Sequence, residues 1–271
     1  MTLTGTILDT IAAHKREEVL EAKSVTHTDE LRSQCRDLPP TRGFEQALRA
    51  APRLALIAEV KKASPTRGLL RDPFDPAEIA GLYAEGGATA LSVLTDERFF
   101  QGSPGFLRQA REACPLPVLR KDFTLEEYQV YQSRALGADA ILLIAALLSG
   151  QQMADLLGLA RELDLDTLVE VHTQEEAGDV PAAATLVGVN NRDLKAFTVD
   201  LAVTEALAPV VLSGRPDRLL VSESGIHTRA DVLRVSRAGA GAVLVGESLM
   251  RHLDPAAKVR ELLGTRDGGE E

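Results

Sequence analysis

The sequence predicts a single (β/α)8 barrel preceded by a helical segment. Three observations carry that prediction. From Leu54 onward, short apolar runs alternate with amphipathic stretches at even spacing, eight of each. The 271 residues, 45% of them apolar, suit one core of the size such a barrel needs, roughly 250 residues. The phrases GGATAL (86–91), GADAIL (137–142) and GAGAVL (239–244) each lead from a helix end straight into the next strand. Such alternation implies parallel pairing with right-handed crossovers, and eight strands close a barrel. An open doubly wound sheet is disfavoured, because no G-x-G-x-x-G follows an early strand.

Residues 6–23 place Ile7, Leu8, Ile11, Val19 and Leu20 at helical spacing, an amphipathic helix outside the repeat. Residues 24–43 are polar and broken at Pro39-Pro40, and a short helical piece follows over 43–50. Residues 1–50 therefore read as an N-terminal helical extension, 51–264 as the barrel and 265–271 as a disordered, Gly- and acid-rich tail, one domain overall. The predicted strands are 55–60, 90–94, 118–120, 140–144, 167–171, 186–189, 219–221 and 242–245. The predicted helices are 76–85, 103–113, 124–136, 149–163, 173–180, 199–207, 228–238 and 255–263. Asp75-Pro76 and Ser103-Pro104 set a proline behind a capping residue, and Thr124 leads Glu126 and Glu127. Gly86-Gly87, Gly137 and Gly239 stand where a helix end calls for a left-handed residue.

A formal charge of −10 argues against nucleic acid or an anionic membrane surface as a partner, yet leaves room for an anionic substrate in a locally basic cleft. Cys35 and Cys114 fit neither a disulfide framework nor metal-ligand spacing. The first residues carry charges too early for a signal peptide, and no apolar run spans a bilayer. These features predict a soluble cytoplasmic protein. The chain stops soon after its eighth strand and helix, so no second catalytic domain is expected.

Functional residues of a barrel sit at the carboxyl ends of its strands. Here those ends carry Glu59 and Lys61; Thr95, Asp96 and Glu97; Arg120, Lys121 and Asp122; Glu170 and His172; Asn190, Asn191 and Arg192; Ser222, Glu223 and Ser224; and Gly246, Glu247 and Ser248. Buried charges are costly unless paired or facing a wet cleft, so seven polar strand ends predict a catalytic mouth. SESGI (222–226) and VGESL (245–249) combine glycine with small polar groups after the last two strands, the usual phosphate site of such barrels. Lys61 and Lys121 among Glu59, Glu170 and Glu223 suit either a protonated acid or, if set apart from the carboxylates, a Schiff-base amine. A lone His172 reads first as structural. Phe99, Phe100 and Phe123 suit either loop packing or a slot for an aromatic ring. No H-x-H or H-E-x-x-H points to a metal. On residues alone the limit is a phosphate-handling barrel lyase, isomerase or aldolase, with a non-catalytic binding barrel as the other class.

EVKKASPTRG (59–68), ALSVLTDERFFQGS (90–103), LRKDF (119–123), LVEVHT (168–173), VGVNNRDL (187–194), SESGI and VGESLM (245–250), in this order, closely resemble the indole-3-glycerol phosphate synthase family of tryptophan biosynthesis. The likeness runs from IAAHKREEV (11–19) to about Leu263. It implies a barrel whose extension lies over the mouth, and a phosphorylated small-molecule substrate, 1-(2-carboxyphenylamino)-1-deoxyribulose 5-phosphate. It implies no metal or organic cofactor, and a monomer or at most a weak homodimer is expected. By position, Lys121 resembles the general acid of ring closure, Glu170 and Glu59 the acid/base carboxylates, and Lys61 the partner of the substrate carboxylate. Asn190 and Arg192 match positions that hold the reacting region, and Glu223 and Ser224 the hydroxyl-binding side. Ser64, Gly225, Gly246 and Glu247 match the phosphate side, with Glu247 standing where a serine can occur. Its carboxylate is expected to turn away, leaving only its backbone N–H to phosphate. Phe100, Phe123 and Leu142 match the pocket for the anthranilate ring.

Overall fold

A computed structural model describes residues 5–265. The predicted tail lies outside these residues except for Thr265. Eight parallel strands, β1 (Ala55–Val60), β2 (Ala90–Leu94), β3 (Val118–Lys121), β4 (Ala140–Ile144), β5 (Asp166–Val171), β6 (Leu186–Asn190), β7 (Leu219–Glu223) and β8 (Ala242–Val245), pair in chain order. The barrel closes where β8 pairs with β1, Ala55 opposite Ala242 and Ala58 opposite Val245. Successive side chains alternate faces. Ile57, Leu119, Leu142, Leu168 and Leu244 accordingly fill the lumen, while Leu56, Leu91, Leu143, Val169 and Val243 pack under the helices.

Three strands run further than their apolar character predicts. β3 continues through Lys121, β6 through Asn190 and β7 through Glu223. Backbone pairing needs no apolar side chain, and Leu94 opposite Lys121 and Asn190 opposite Glu223 keep the ladder intact. The polar groups therefore stand on strands rather than loops, which fixes their direction.

Helix starts follow their caps. Asp75 Oδ1 accepts the N–H groups of Ala77 (2.9 Å) and Glu78 (3.1 Å) ahead of the helix Pro76–Glu85. The helix expected from Thr124 instead begins at Glu127, because Gln129 reaches back and its Oε1 accepts the Leu125 N–H at 2.7 Å. The helix expected over 199–207 lies at Ala202–Leu212, since Asp193, Phe197 and Thr198 fold the preceding residues into a tight loop. Gly87, Gly137 and Gly239 do take positive φ, but Gly86 is right-handed (φ −68°). A Cβ at Gly86 would lie 2.7 Å from the Ala256 carbonyl, so close helix packing, not handedness, requires glycine there.

The extension serves both ends of the barrel. α1 (Ile7–Val25) lays Leu8 and Ile11 over the mouth. A helix at Thr28–Arg36, within the stretch read as broken and polar, buries Leu31 and Cys35 against Tyr128 and Tyr131. The helix Phe44–Ala50 then plugs the opposite end with Phe44 and Leu48, anchored by Glu45 N–H to Asp166 Oδ2 (2.8 Å). Phe44 is wholly buried, worth roughly 2–3 kcal/mol by apolar area. Among the described residues, no helix is long and apolar enough to cross a membrane.

Candidate active site

The carboxyl ends of the strands open into a cleft of about 250 Å³. β3 sends Lys121 inward and Arg120 outward, as the two-residue period requires. Lys121 Nζ donates to Glu170 Oε2 on β5 at 2.7 Å and to Glu223 Oε2 on β7 at 3.1 Å. Asn190 Nδ2, from β6, donates to Glu170 Oε1 at 3.2 Å, and His172 Nε2 lies 3.1 Å from that oxygen. Just past β1, Lys61 pairs with Glu59. Charged groups that are far apart in sequence thus share one buried cluster.

Their proton affinities follow from that arrangement. Burial alone would strip Lys121 of its proton, but Glu170, Glu223 and Glu59 together outweigh it and push the ammonium above its usual range. That direction favours the protonated acid over the neutral amine that Schiff-base chemistry needs. Burial raises Glu170, yet Lys121 and His172 overcome that and hold it well below the usual carboxylate range. Burial works against the charge on His172, but the carboxylates of Glu170 and Glu176, 3.1 and 3.4 Å from its ring nitrogens, outweigh it and raise it to about 9. Glu223 behaves oppositely. Burial and the nearby Glu170 charge exceed the pull of Lys121 and raise it to about 7. Its Oε1 has no hydrogen-bond partner.

Two glycines make this crowding feasible. A Cβ at Gly188, on β6, would overlap Glu223 Oε1, and one at Gly246 would overlap Glu59 Oε1 and lie 3.1 Å from Lys61 Nζ. Gly246→Ala should therefore displace Glu59 and Lys61 without breaking backbone packing. We expect kcat/KM to fall about 100-fold, the usual cost of misplacing a catalytic group by an ångström, with Tm shifted by only a few degrees. Steady-state kinetics beside a melting curve checks this.

Glu223 has a second consequence. Its carboxyl binds a proton more tightly folded than unfolded, so its destabilising charge is absent below about pH 4.5 and complete above about pH 7. Glu223→Gln keeps the acceptor and removes the charge. Its Tm should match the native value near pH 4.5 and exceed it at pH 8, by on the order of a few kcal/mol in stability. The same substitution should erase an ionisation near pH 7 from the rate profile. Parallel melting and kinetic titrations measure both.

An apolar flank faces the charges. Phe100 and Phe123 stand with ring centroids 6.1 Å apart, and Leu142 lies in the same cleft. Phe99 is elsewhere, edge-on to His14 at 5.9 Å. The sequence reading missed Leu8, Ile11, Ile144, Leu194 and Leu244, which also line this flank. The helical spacing of Ile7, Leu8 and Ile11 announced a buried face but not what it covers.

At the far side of the cleft, Ser64 Oγ accepts the Arg67 N–H at 3.2 Å, and Ser224 and Gly225 both take left-handed φ, 66° and 80°. The Glu247 carboxylate is engaged by Arg67 Nε at 3.2 Å and Arg251 Nε at 3.6 Å, with Arg192 Nη2 at 4.0 Å. Its oxygens are thus committed to side-chain cations at the rim. Arg192 N–H donates to Asn190 Oδ1 at 3.1 Å, which aims the Asn190 amide group at Glu170.

Several polar strand ends have other work. Asn191 Nδ2 donates to Ser222 Oγ (3.0 Å) and to the carbonyls of Glu223 (2.9 Å) and Ser224 (3.1 Å), bracing β6 to β7. Thr95 and Arg120 bond to each other (3.0 Å) behind the cleft. Among the described residues, no group of three His, Cys, Asp or Glu side chains is placed to hold a metal.

The family model for indole-3-glycerol phosphate synthase matches residues 8–262. The chain belongs to the indole-3-glycerol phosphate synthase family. It is 51% identical over 263 residues to an indole-3-glycerol phosphate synthase of Albidiferax ferrireducens, covering 96% of this chain and 98% of that one. Among solved structures, 3-hexulose-6-phosphate synthase from Salmonella typhimurium superposes with a TM-score of 0.62 at 14% identity, over 78% of this chain and 97% of the other. A mutant tryptophan synthase alpha-subunit from Pyrococcus furiosus gives 0.59 at 15%, over 78% and 98%. At such identity these two speak for the barrel alone. Indole-3-glycerol phosphate synthases are carboxy-lyases of tryptophan biosynthesis, and this chain is one by family.

Proposed function

We propose that the chain converts 1-(2-carboxyphenylamino)-1-deoxyribulose 5-phosphate to indole-3-glycerol phosphate, carbon dioxide and water. The observation that carries this reading is Lys121, an ammonium held between Glu170 and Glu223 in a cleft that Phe100, Phe123 and Leu142 also line. Phe100, Phe123 and Leu142 receive the aryl ring. Lys121 donates its proton to the ketone oxygen as the carboxyl-bearing ring carbon attacks the carbonyl carbon, stabilising charge where it develops. The C–C bond to the carboxylate then breaks, its electron pair returns to the ring, and carbon dioxide leaves.

Loss of water restores the aromatic system and needs an acid and a base on different sides. Glu59 on β1 with Lys61 just after it, and Glu170 on β5, stand apart in this way. Lys61 exchanges Glu59 for the substrate carboxylate. Glu223, assigned by the resemblance to hydroxyl binding, has the proton affinity of an acid/base group near neutrality and joins that set. Ser64, Ser224, Gly225, Gly246 and the backbone of Glu247 form the phosphate side, with Arg192 near the reacting region. The reading includes a monomer, or at most a weak homodimer, working in the cytoplasm. The extension and barrel act as one unit.

The test is fluorescence on mixing protein with this substrate. The chain has no tryptophan, so product indole stands against a low background. A rising indole signal is expected. Tight binding with no signal, or no binding at all, would each exclude the assignment.

A further inference from the structure

One buried cation takes no part in the chemistry above. Lys15, on α1, is 1% exposed, yet Nζ lies 3.0 Å from Asp96 Oδ2 and 2.9 Å from Asp122 Oδ1. Glu18, one turn on, accepts from it at 2.8 Å. Asp96 follows β2 and Asp122 follows β3. Each uses its other bonds to hold an adjoining loop: Asp96 Oδ1 accepts the Phe99 N–H and Asp122 Oδ1 the Phe123 N–H, both at 2.8 Å. Lys15 therefore ties α1 to the two loops that present Phe100 and Phe123. Leu8 and Ile11 lie seven and four residues earlier on the same helix face and roof the same slot. An apolar contact would have seated the helix without the desolvation cost of a buried ammonium. What an ion pair adds is direction, because it fixes both loops and the roof to one point.

We infer that Lys15 is a positioning residue that sets the width of the aryl slot by pinning α1 to the loops after β2 and β3. The inference rests on the reading that this slot receives the substrate's aromatic ring. Burial works against the charge, but Asp122 and Asp96 outweigh it and keep the ammonium protonated above its usual range. Arg120, whose Nη2 is 3.0 Å from Asp122 Oδ2, shares the acidic cluster from its other side and keeps Asp122 paired when Lys15 is removed.

The experiment compares the full-length native protein with Lys15→Met. KM for the carboxyphenylamino substrate should rise at least tenfold with kcat within about threefold, because the chemistry lies across the cleft. The Kd for 2-aminobenzoate, a fluorescent aryl fragment, should weaken in parallel, while that for inorganic phosphate stays within twofold. A general loss of structure would instead lower kcat and both affinities together, and would count against the inference. So would an unchanged KM, or a fall in kcat alone. Because Lys15→Met leaves the buried Asp96 short of a cation, Lys15→Gln/Asp96→Asn is measured beside it. That pair removes one charge of each sign and retains the acceptor for the Phe99 N–H. If Lys15→Met does not fold, an unchanged KM in the double variant overturns the inference and a raised one supports it. The aryl-fragment Kd separates the two questions. If the native protein turns nothing over, the proposed activity fails, yet a weaker 2-aminobenzoate Kd in the variants still shows the pin.

Discussion

Lys121→Met should reduce turnover on the order of 10⁴-fold while substrate binding changes little. General-acid catalysis contributes about 10²–10⁴, and stabilising the developing charge adds to it. The ammonium supplies both from one atom, between Glu170 and Glu223. The aryl slot and the phosphate side do not depend on it, so affinity for a non-cyclising substrate analogue should stay within tenfold. The variant should fold. Without the cation, Glu170 and Glu223 share a proton, as paired carboxylates do, and their combined titration moves upward. Stopped-flow indole fluorescence gives the rate and equilibrium titration the affinity. Near-normal turnover would rule out Lys121 as the acid.

Glu170→Gln should cost about 10²–10³ in turnover with KM nearly unchanged. The native carboxylate takes Lys121 on one oxygen and Asn190 and His172 on the other. A glutamine fills the same space, but its amide neither accepts a proton nor balances the two cations. His172 then keeps Glu176, 3.4 Å from Nδ1, as its ion-pair partner among the described residues. Its imidazole should titrate well below its native value of about 9. Histidine NMR titration reads that shift independently of activity. An unshifted His172 would mean that Glu170 does not hold its charge.

How much of this was legible in the sequence depends on distance along the chain. Strand and helix identity rested on local periodicity, and each of the eight strands formed where its apolar run stood. Strand ends were less legible. Asn190 and Glu223 look like loop residues until their neighbours extend the ladder. Glu59, Lys61, Lys121, Glu170 and Glu223 were visible because a charge closing a buried strand is costly unless it is paired or faces a wet cleft. Which of them met, and with what proton affinity, was not visible. The near-neutral Glu223 arises from three strands converging, and no single strand carries that information. The roof of Leu8 and Ile11 and the plug of Phe44 and Leu48 depend on how the extension wraps the barrel. Likewise, Thr95, Arg120 and Asn191 share the spacing of site residues, but the pleat or a neighbouring strand turns them to bracing.

The overlap between Gly188 and Glu223, and between Gly246 and Glu59, also governs how the protein can change. In each pair a glycine on or just after one strand reserves the volume that a carboxylate from another strand occupies. Neither position is free to vary alone. A methyl at 188 evicts the Glu223 carboxylate, and a shorter residue at 223 leaves a void beside 188. A saturation library at 188 and 223 should therefore be strongly epistatic. Larger residues at 188 would be recovered only with smaller ones at 223, in variants that fold and do not turn over. The glycines at 188 and 246 thus mark the buried carboxylates of the cleft as surely as the charges do.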